Sequence, residues 1–395
     1  ALPKAGGTMT GNIATKGISS VTAGSNNFVA GVNAGNSIVS GGDNNTLAGT
    51  NAGTAVTTGD FNTALGSQAL AQTNTSSQNT AIGGYAMYYN TTGGSNTAVG
   101  LQALLDNTTA SNNTAIGMNA LTNNTTGTQN TALGGSSLAA NTTANYNTGV
   151  GYNSLAANTT GIQNSGIGRY TLAQNTTGNY NVAVGGDALT ANTTASNNTA
   201  VGMFALTANT TGTGNTAVGK NALDANISAS NVTAVGLNAL GSNTTGANNT
   251  AVGTASLGSN TTAGKNTAFG YASLNANTTG TRNTAVGDNS LVANTTGNYN
   301  VAMGYNSLDA NTTGTHNTSI GDSSMSTNTT GIKNIAVGQG AFANNTTGNE
   351  NVAIGVDALA ANTTASENTA VGEQCLSANT TGSDNTAVGT SSLGA

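Results

Sequence analysis

A 17-residue unit with the consensus NTAVGxxALxANTTGxx repeats through most of this chain of 395 residues. It begins at Asn62 and returns every 17 residues, without insertion or deletion, for twenty copies. A short fixed period is typical of solenoids, in which each repeat forms one coil that buries its core against its neighbours. The period therefore predicts a repeat shaft over residues 62–395 rather than two or three separate globular domains.

We number the positions of the unit 1 to 17 and call one position in successive coils a column. Position 5 is Gly in all twenty copies, beginning with Gly66, Gly83 and Gly100. Glycine tolerates positive φ and close approach of another backbone. The column therefore predicts a strand at positions 1 to 5 that ends in a corner at positions 6 and 7.

Two columns carry large apolar residues. Position 4 is always large and apolar, as in Val99, and position 9 is Leu in most copies, as in Leu104 and Leu121. This pattern predicts a second strand at positions 8 to 12, followed by a return loop carrying Thr-Thr-Gly. Because Gly, Asn, Thr and β-branched residues favour strands and turns over helix, we expect an all-β, parallel β-solenoid.

Asparagine occupies two further columns. It opens the unit in nineteen of twenty copies, as in Asn113, with Val232 as the exception, and it fills position 12 from Asn90 onward, as in Asn107. Stacked amides can donate to one neighbour and accept from the other, as they do in cross-β structures. We predict Asn ladders that need no external ligand.

The strands avoid charge on both faces. Position 3 is small beside the large residue at position 4, and position 8 is small beside the Leu at position 9. Strands that are apolar on both faces are typically covered on both sides. One face can pack inside the coil, and the other needs a partner, so we predict a homo-oligomer with three intertwined or packed chains.

Composition excludes several classes. Charged residues are 5% of the chain, against about 25% in an ordinary domain, but 36% are apolar and recur at fixed places, which argues against disorder. The net charge of -6 is spread thinly and the seven Lys and Arg form no run, so we expect no nucleic-acid partner. No stretch of eighteen apolar residues occurs, so we expect no membrane insertion.

No pattern of catalytic or metal-binding residues emerges. His316 is the only histidine and occupies variable position 17, which predicts a solvent-facing side chain. Cys375 replaces the usual Ala or Ser at position 8, which predicts a small packed thiol. Glu350 and Glu367 share a column in neighbouring coils, but calcium repeats need several carboxylates per turn. We expect no enzymatic activity, cofactor or metal.

Aromatic residues gather at the variable positions. Isolated surface aromatics need no function, but Tyr offers an apolar ring and a polar hydroxyl to a glycan or protein. If the shaft touches such a ligand, the candidates are Tyr85, Tyr88, Tyr89, Tyr152, Tyr170, Phe204 and Tyr305.

The motif NTAVGxxAL, with NTTG between copies, resembles the repeats of phage tail-fibre shafts and of large bacterial surface proteins, which often end in an endosialidase-type intramolecular chaperone. More distantly, NTAVG is similar to the shorter repeats in the heads of trimeric autotransporter adhesins. That similarity implies a left-handed parallel β-roll in a trimer, although the unit here is three residues longer.

The flanks of the shaft extend the resemblance. The N-terminal leader, residues 1–25, contains LPKAGGTMTGNI from Leu2 to Ile13, which is similar to a leader of phage tail fibres. Residues 26–61 form degenerate transition repeats, in which FVAGVNAG from Phe28 is echoed 18 residues later by TLAGTNAG from Thr46. The last unit stops at Ala395 before its return loop, so we expect a tip or chaperone to follow.

These observations favour a structural role. The leading hypothesis is the shaft of a phage tail fibre, in the virion, which presents a distal tip to a host receptor or glycan. The alternative is a bacterial surface adhesin, extracellular, whose shaft itself binds host or matrix. A minor alternative is ice binding, because Thr columns at positions 2 and 14 could form flat arrays.

Overall fold

The structure is a computed structural model that describes Ile18–Ser19 and residues 23–394. The chain divides into two compact units, one ending at Gly186 and the other beginning at Asp187. The leader motif from Leu2 to Ile13 lies outside the described residues. The 17-residue repeat continues through the boundary in sequence, and the same type of coil is found in both units.

The described regular structure consists of short strands, and no helix occurs in residues 23–394. Each regular coil holds one three-residue strand at positions 2 to 4. The first unit contains β1 (Ile18–Ser19), β2 (Phe28–Ala30), β3 (Thr46–Ala48), β4 (Thr63–Leu65), β5 (Thr80–Ile82), β6 (Thr97–Val99), β7 (Thr114–Ile116), β8 (Thr131–Leu133), β9 (Thr148–Val150), β10 (Ser165–Ile167) and β11 (Val182–Val184). The second contains β12 (Thr199–Val201), β13 (Thr216–Val218), β14 (Thr233–Val235), β15 (Thr250–Val252), β16 (Thr267–Phe269), β17 (Thr284–Val286), β18 (Val301–Met303), β19 (Thr318–Ile320), β20 (Ile335–Val337), β21 (Val352–Ile354), β22 (Thr369–Val371) and β23 (Thr386–Val388).

Strands of successive coils pair in parallel. In the regular coils, residues one repeat apart lie side by side, as Thr97 does with Thr114. β2 pairs with β3 at the offset of 18 residues seen in the sequence, placing Phe28 beside Thr46. β1 pairs with β2 antiparallel. The predicted all-β parallel solenoid of 17-residue coils is therefore confirmed within each unit.

The second strand predicted at positions 8 to 12 is wrong. Positions 6 to 11 form turns, because positions 7 and 9 are left-handed: Gln102 has φ of 58° and Leu104 has φ of 54°. A left-handed residue cannot continue an extended strand. Position 17 is left-handed as well, as in Asn112 with φ of 62°.

The turns are nevertheless joined to adjacent coils by backbone hydrogen bonds. Left-handed residues redirect the N–H and C=O groups along the solenoid, so the N–H of position 7 reaches the preceding coil and that of position 9 reaches the following one. In the coil that begins at Asn113, these bonds run from Asn119 to Leu101 (3.0 Å), from Leu121 to Ser137 (3.0 Å), from Asn123 to Ala139 (3.1 Å) and from Thr125 to Thr142 (2.9 Å).

The glycine at position 5 ends each strand, as predicted. Gly100 has φ of 136°, a backbone conformation that L side chains rarely adopt. A Cβ atom there would lie 2.5 Å from the carbonyl oxygen of Gly117 in the next coil. The column is glycine because both the dihedral angle and the neighbouring backbone exclude a side chain.

The core within the chain is formed by positions 3, 8 and 9. Ala98, Ala103 and Leu104 are fully buried, and the equivalent residues are buried in the regular coils of both units up to the last coil, where Leu393 is exposed. Position 8 and position 9 both face inward because they lie in a turn, so the expected opposition of their side chains is wrong. Of the two large apolar columns, only position 9 is buried inside the coil.

Candidate interface on the outer strand face

The strands present an apolar surface outward. Side chains alternate along a strand, so Ala98 at position 3 points into the coil while Thr97 and Val99 at positions 2 and 4 lie on the opposite side, both half-exposed. We call the surface made by positions 2 and 4 the strand face. It is the face that the two-sided apolar pattern predicted to need a partner.

The apolar half of the strand face is position 4. Its side chains keep substantial exposure in both units, as with Leu65 (52% exposed) in the first and Phe269 (41%) in the second. Soluble monomers rarely expose long contiguous apolar surfaces, and those that occur mark interaction sites. Its most exposed members are Leu65, Ile116, Leu133 and Ile167 in the first unit and Val201, Phe269, Met303, Ile320, Ile354 and Val388 in the second.

The position 12 amides form the predicted ladder. Asn107 donates from Nδ2 to Oδ1 of Asn90 (2.7 Å) and to the carbonyl oxygen of Ala110 in its own coil (3.0 Å). Its own Oδ1 accepts from Nδ2 of Asn124 in the next coil (3.1 Å). Asn107 is fully buried, so the ladder satisfies a polar group where water cannot reach it.

The position 1 amides form a different ladder. Asn113 donates its backbone N–H to Oδ1 of Asn96 (2.9 Å), and its Nδ2 bonds the carbonyl oxygen of Gly127 across the coil (2.9 Å). Its Oδ1 accepts the backbone N–H of Asn130 in the next coil (2.9 Å), so the side chain bonds both a neighbouring coil and the return loop of its own coil. Val232 preserves the backbone bond to Oδ1 of Asn215 (3.0 Å) but has no amide to reach across. Both Asn columns are structural, with their amides bonded inside the chain.

The candidate contact aromatics are brought together only in part. Tyr85, Tyr88 and Tyr89 form one cluster, with ring centroids 5.6 Å apart for Tyr85 and Tyr88 and 4.6 Å apart for Tyr88 and Tyr89. Tyr152 and Tyr170 form a pair at 5.6 Å. Phe204 and Tyr305 are exposed, but no ring contact joins them to these groups.

The two single residues lie as predicted. His316 is exposed, and its ring stacks on Tyr299 with centroids 4.8 Å apart. Cys375 is fully buried, and its Sγ donates to the carbonyl oxygen of Ala387 (3.2 Å). This thiol packs in the core of the coil.

Three carboxyls are perturbed by their surroundings. Burial raises the pKa of Asp106, Asp224 and Asp309 above the ordinary value, and backbone hydrogen bonds partly oppose this for the last two. The Oδ1 atom of Asp309 is buried without a hydrogen-bond partner. The three residues lie in separate coils at positions 10 and 11, so they form no acidic pair.

Residues 23–394 contain no group of three or more His, Cys, Asp or Glu side chains placed to hold a metal ion. No helix with the length and apolar character needed to cross a membrane occurs in the described part of the chain. Comparison with protein-family models and with curated proteins finds no match to this chain.

The left-handed columns were missed by the sequence analysis, although part of their signal was present. Positions 7 and 17 are rich in Asn, Asp and Gly, residues that adopt the left-handed conformation more readily than others. Position 9 gives no such signal, because Leu rarely adopts positive φ. Only the need to bury Leu104 inside a tight turn explains its φ of 54°.

Proposed function

We propose that this chain is the shaft of a homotrimeric fibre, in which three copies pack through their strand faces. The observation that supports this most directly is the half-exposed apolar column at position 4, present in both units. The buried Asn columns bond within the chain and leave this face as the surface available for burial. The resemblance to phage tail-fibre repeats points to a virion fibre that carries a host-binding tip, without catalysis in the shaft.

The free energy available on the strand face is of the same order as the cost of association. A half-exposed Val, Ile or Leu gains about 1 kcal/mol when it is fully buried. Over the twelve strands β12 to β23, this amounts to on the order of 10 kcal/mol per chain. That value is comparable with the roughly 4 to 15 kcal/mol lost in translational and rotational freedom on association.

The oligomer is tested by two substitutions on the strand face. Val235→Lys with Val252→Lys should convert a trimer into monomers at micromolar concentration, because buried charges oppose packing. The matched control is Thr245→Lys with Thr262→Lys, which places the same charges on exposed position 14. Sedimentation velocity measures the state, and a monomeric parent chain would refute the trimer.

The biological role is tested by electron microscopy with gold-labelled antibodies against the chain. Labelling along the tail fibres of virions supports the proposal. Labelling of a bacterial envelope, together with binding of the purified chain to host cells or matrix, would support the surface adhesin instead.

Ice binding remains a second candidate because of one observation. The Thr residues of position 2 lie on the outer side of the strands, as Thr97 does beside Val99, and form a regular array with position 4. Ice binding needs this face to be open to water, whereas the fibre proposal covers it. A trimer without thermal hysteresis excludes ice binding, and a monomer with thermal hysteresis would replace the fibre proposal.

A further inference from the structure

In the second unit, the charged residues of the position 17 column are ordered by sign, with the cationic residues preceding the acidic ones. Three of its residues in nearby coils are cationic, Lys265, Arg282 and Lys333. Tyr299 and His316 stand between Arg282 and Lys333. The next three coils are all acidic, with Glu350, Glu367 and Asp384. We call these eight residues the charged ridge; its first five members form the basic half and its last three the acidic half.

The backbone holds the ridge in a fixed geometry. All eight residues are left-handed, with φ between 57° at Lys333 and 64° at Lys265, so their side chains leave the coil in the same direction. Backbone hydrogen bonds tie members of the ridge to the preceding coil, as from Lys333 to Thr315 (2.9 Å) and from Glu350 to Ile332 (3.0 Å). Seven coil spacings of about 4.8 Å give the ridge a length of about 34 Å.

Neighbouring side chains of the ridge contact one another. The Arg282 guanidinium lies 5.1 Å from the ring centroid of Tyr299, which in turn stacks on His316. Lys333 and Glu350 form an ion pair at 2.8 Å where the basic half meets the acidic half, and the hydrogen bond to Glu350 raises the pKa of Lys333. All eight side chains are exposed.

The surroundings of the ridge are uncharged. The flanking column at position 16 contains Ala247, Gly264 and Thr281 beside the basic half and Asn349 and Ser366 beside the acidic half. Position 2, on the other flank, is Thr, Val or Ile in these coils. A partner that approaches the ridge therefore meets its charges without competition from adjacent columns.

We propose that the charged ridge is a lateral docking surface for a second copy of this chain, aligned antiparallel. In that alignment Lys265 faces Asp384 of the other copy and Arg282 faces Glu367, and the two-fold symmetry repeats both pairs. Both copies have the same coil spacing, so the opposite charges at the two ends of the ridge stay in register, while Tyr299 faces Glu350 and His316 faces Lys333 at its centre. Parallel alignment instead opposes like charges.

The contact is electrostatic and therefore weak for a single pair of ridges. Exposed ion pairs each contribute little, and salt screens them over about 10 Å at 0.1 M. Several ridges on one assembly would act together through a raised effective concentration. The ridge borders the strand face at position 2 but contains none of its residues, so docking and trimer formation use different side chains.

A reciprocal charge exchange tests the docking. One variant carries Lys265→Glu and Arg282→Glu, and the other carries Glu367→Lys and Asp384→Lys. Each alone should self-associate at least tenfold more weakly than the parent chain at low ionic strength, because like charges now face each other. A 1:1 mixture should recover the parent association, because all four pairs become opposite in sign. The ridge already accepts Lys, Arg, Glu and Asp at these coils, so the variants keep the fold.

The controls separate this effect from net charge. Arg169→Glu with Lys220→Glu, and Asp288→Lys with Glu373→Lys, make the same charge changes at position 6, away from the ridge. Their mixture should behave as the separate proteins do. Light scattering at 20 mM and 500 mM salt measures docking, while native mass spectrometry measures the trimer separately.

Two outcomes would overturn the proposal. One is ridge variants that self-associate like the parent chain, or whose mixture is no stronger than either alone. The other is a parent chain that does not self-associate at low salt but binds polyglutamate through the basic half, which would make the ridge a site for an anionic polymer. Either result can occur with the trimer intact, so failure of the docking is distinguishable from failure of the fibre proposal.

Discussion

The position 12 column and the strand face differ in the number of residue types that occupy them. Position 12 is Asn without exception from Asn90 to Asn379, and its amides bond in a ladder inside the chain. Position 4 accepts Val, Ile, Leu, Met and Phe, and its side chains are partly exposed. Hydrogen-bond geometry demands one residue type, whereas apolar burial demands only a class. A column whose hydrogen bonds are completed within the chain is uniform, and a half-exposed apolar column is variable.

The largest effect is expected at the glycine corner, which is as uniform as the Asn column. Gly117→Ala should lower the stability of its coil by about 3 kcal/mol or more, because φ of 136° strains Ala and its Cβ meets the carbonyl oxygen of Gly134 at 2.5 Å. Hydrogen exchange of the coil measures the loss.

The control for this corner is Gly135→Ala in the next coil, where the new Cβ meets the Tyr152 ring at an ordinary 3.5 Å. It should change stability by well under 1 kcal/mol. Equal losses at Gly117 and Gly135 would show that uniformity of a column does not report backbone constraint.

A smaller effect is expected in the Asn ladder itself. Asn124→Ala removes the amide that bonds Oδ1 of Asn107 (3.1 Å) and that accepts from Asn141 (2.8 Å), leaving a buried oxygen without a donor. This should cost about 2 kcal/mol. Asn123→Ala is the matched control, because Asn123 is the exposed neighbour in sequence. Urea denaturation at one chain concentration compares the two, and a loss confined to Asn123→Ala would contradict the ladder's role.

The smallest effect is expected at the Asp309 carboxyl, whose buried Oδ1 has no hydrogen-bond partner, unlike the amides of the Asn ladder. Burial raises the pKa of Asp309, so its protonation is more favourable in the folded state than in the unfolded state. Its contribution to stability is therefore full below the unfolded pKa, near 3.8, and is lost as the pH rises through the higher folded pKa.

Asp309→Asn should therefore stabilise the chain at pH 7, by a few tenths of a kcal/mol after solvent screening, and the gain should disappear near pH 3. Thermal unfolding at the two pH values measures it. Asp288→Asn, at an exposed position, controls for the lost charge. A gain of the same size at both pH values would argue against desolvation as its cause.

The period and the uniform columns made most of the fold predictable. Gly100 and Asn107 belong to columns where a backbone or hydrogen-bond constraint admits one residue, so their roles were readable from repetition alone. Val99 and Leu104 were harder, because both are large and apolar and the sequence does not state which faces inward. The left-handed φ of Leu104 turns the side chains of positions 8 and 9 inward together and so places position 9 in the core. The residue preferences of Leu do not predict this φ.

The sequence predicted that one face of the strands requires cover, but it did not show which positions of the repeat form that face. Apolar residues on both faces indicated that one face required cover, but assigning it to position 4 needed the burial of Ala98 and the exposure of Val99. The charged ridge was visible in the sequence only as scattered residues. It becomes a surface once the left-handed backbone at position 17 aligns their side chains.

The bonds between coils have a consequence for how such a gene can change. A regular coil is bonded through equivalent positions to the copies before and after it, as Asn107 is to Asn90 and Asn124. Deleting or duplicating 17 codons therefore joins two surfaces that already match. Recombination between copies can therefore change the number of coils by whole repeats, without requiring any new side chain.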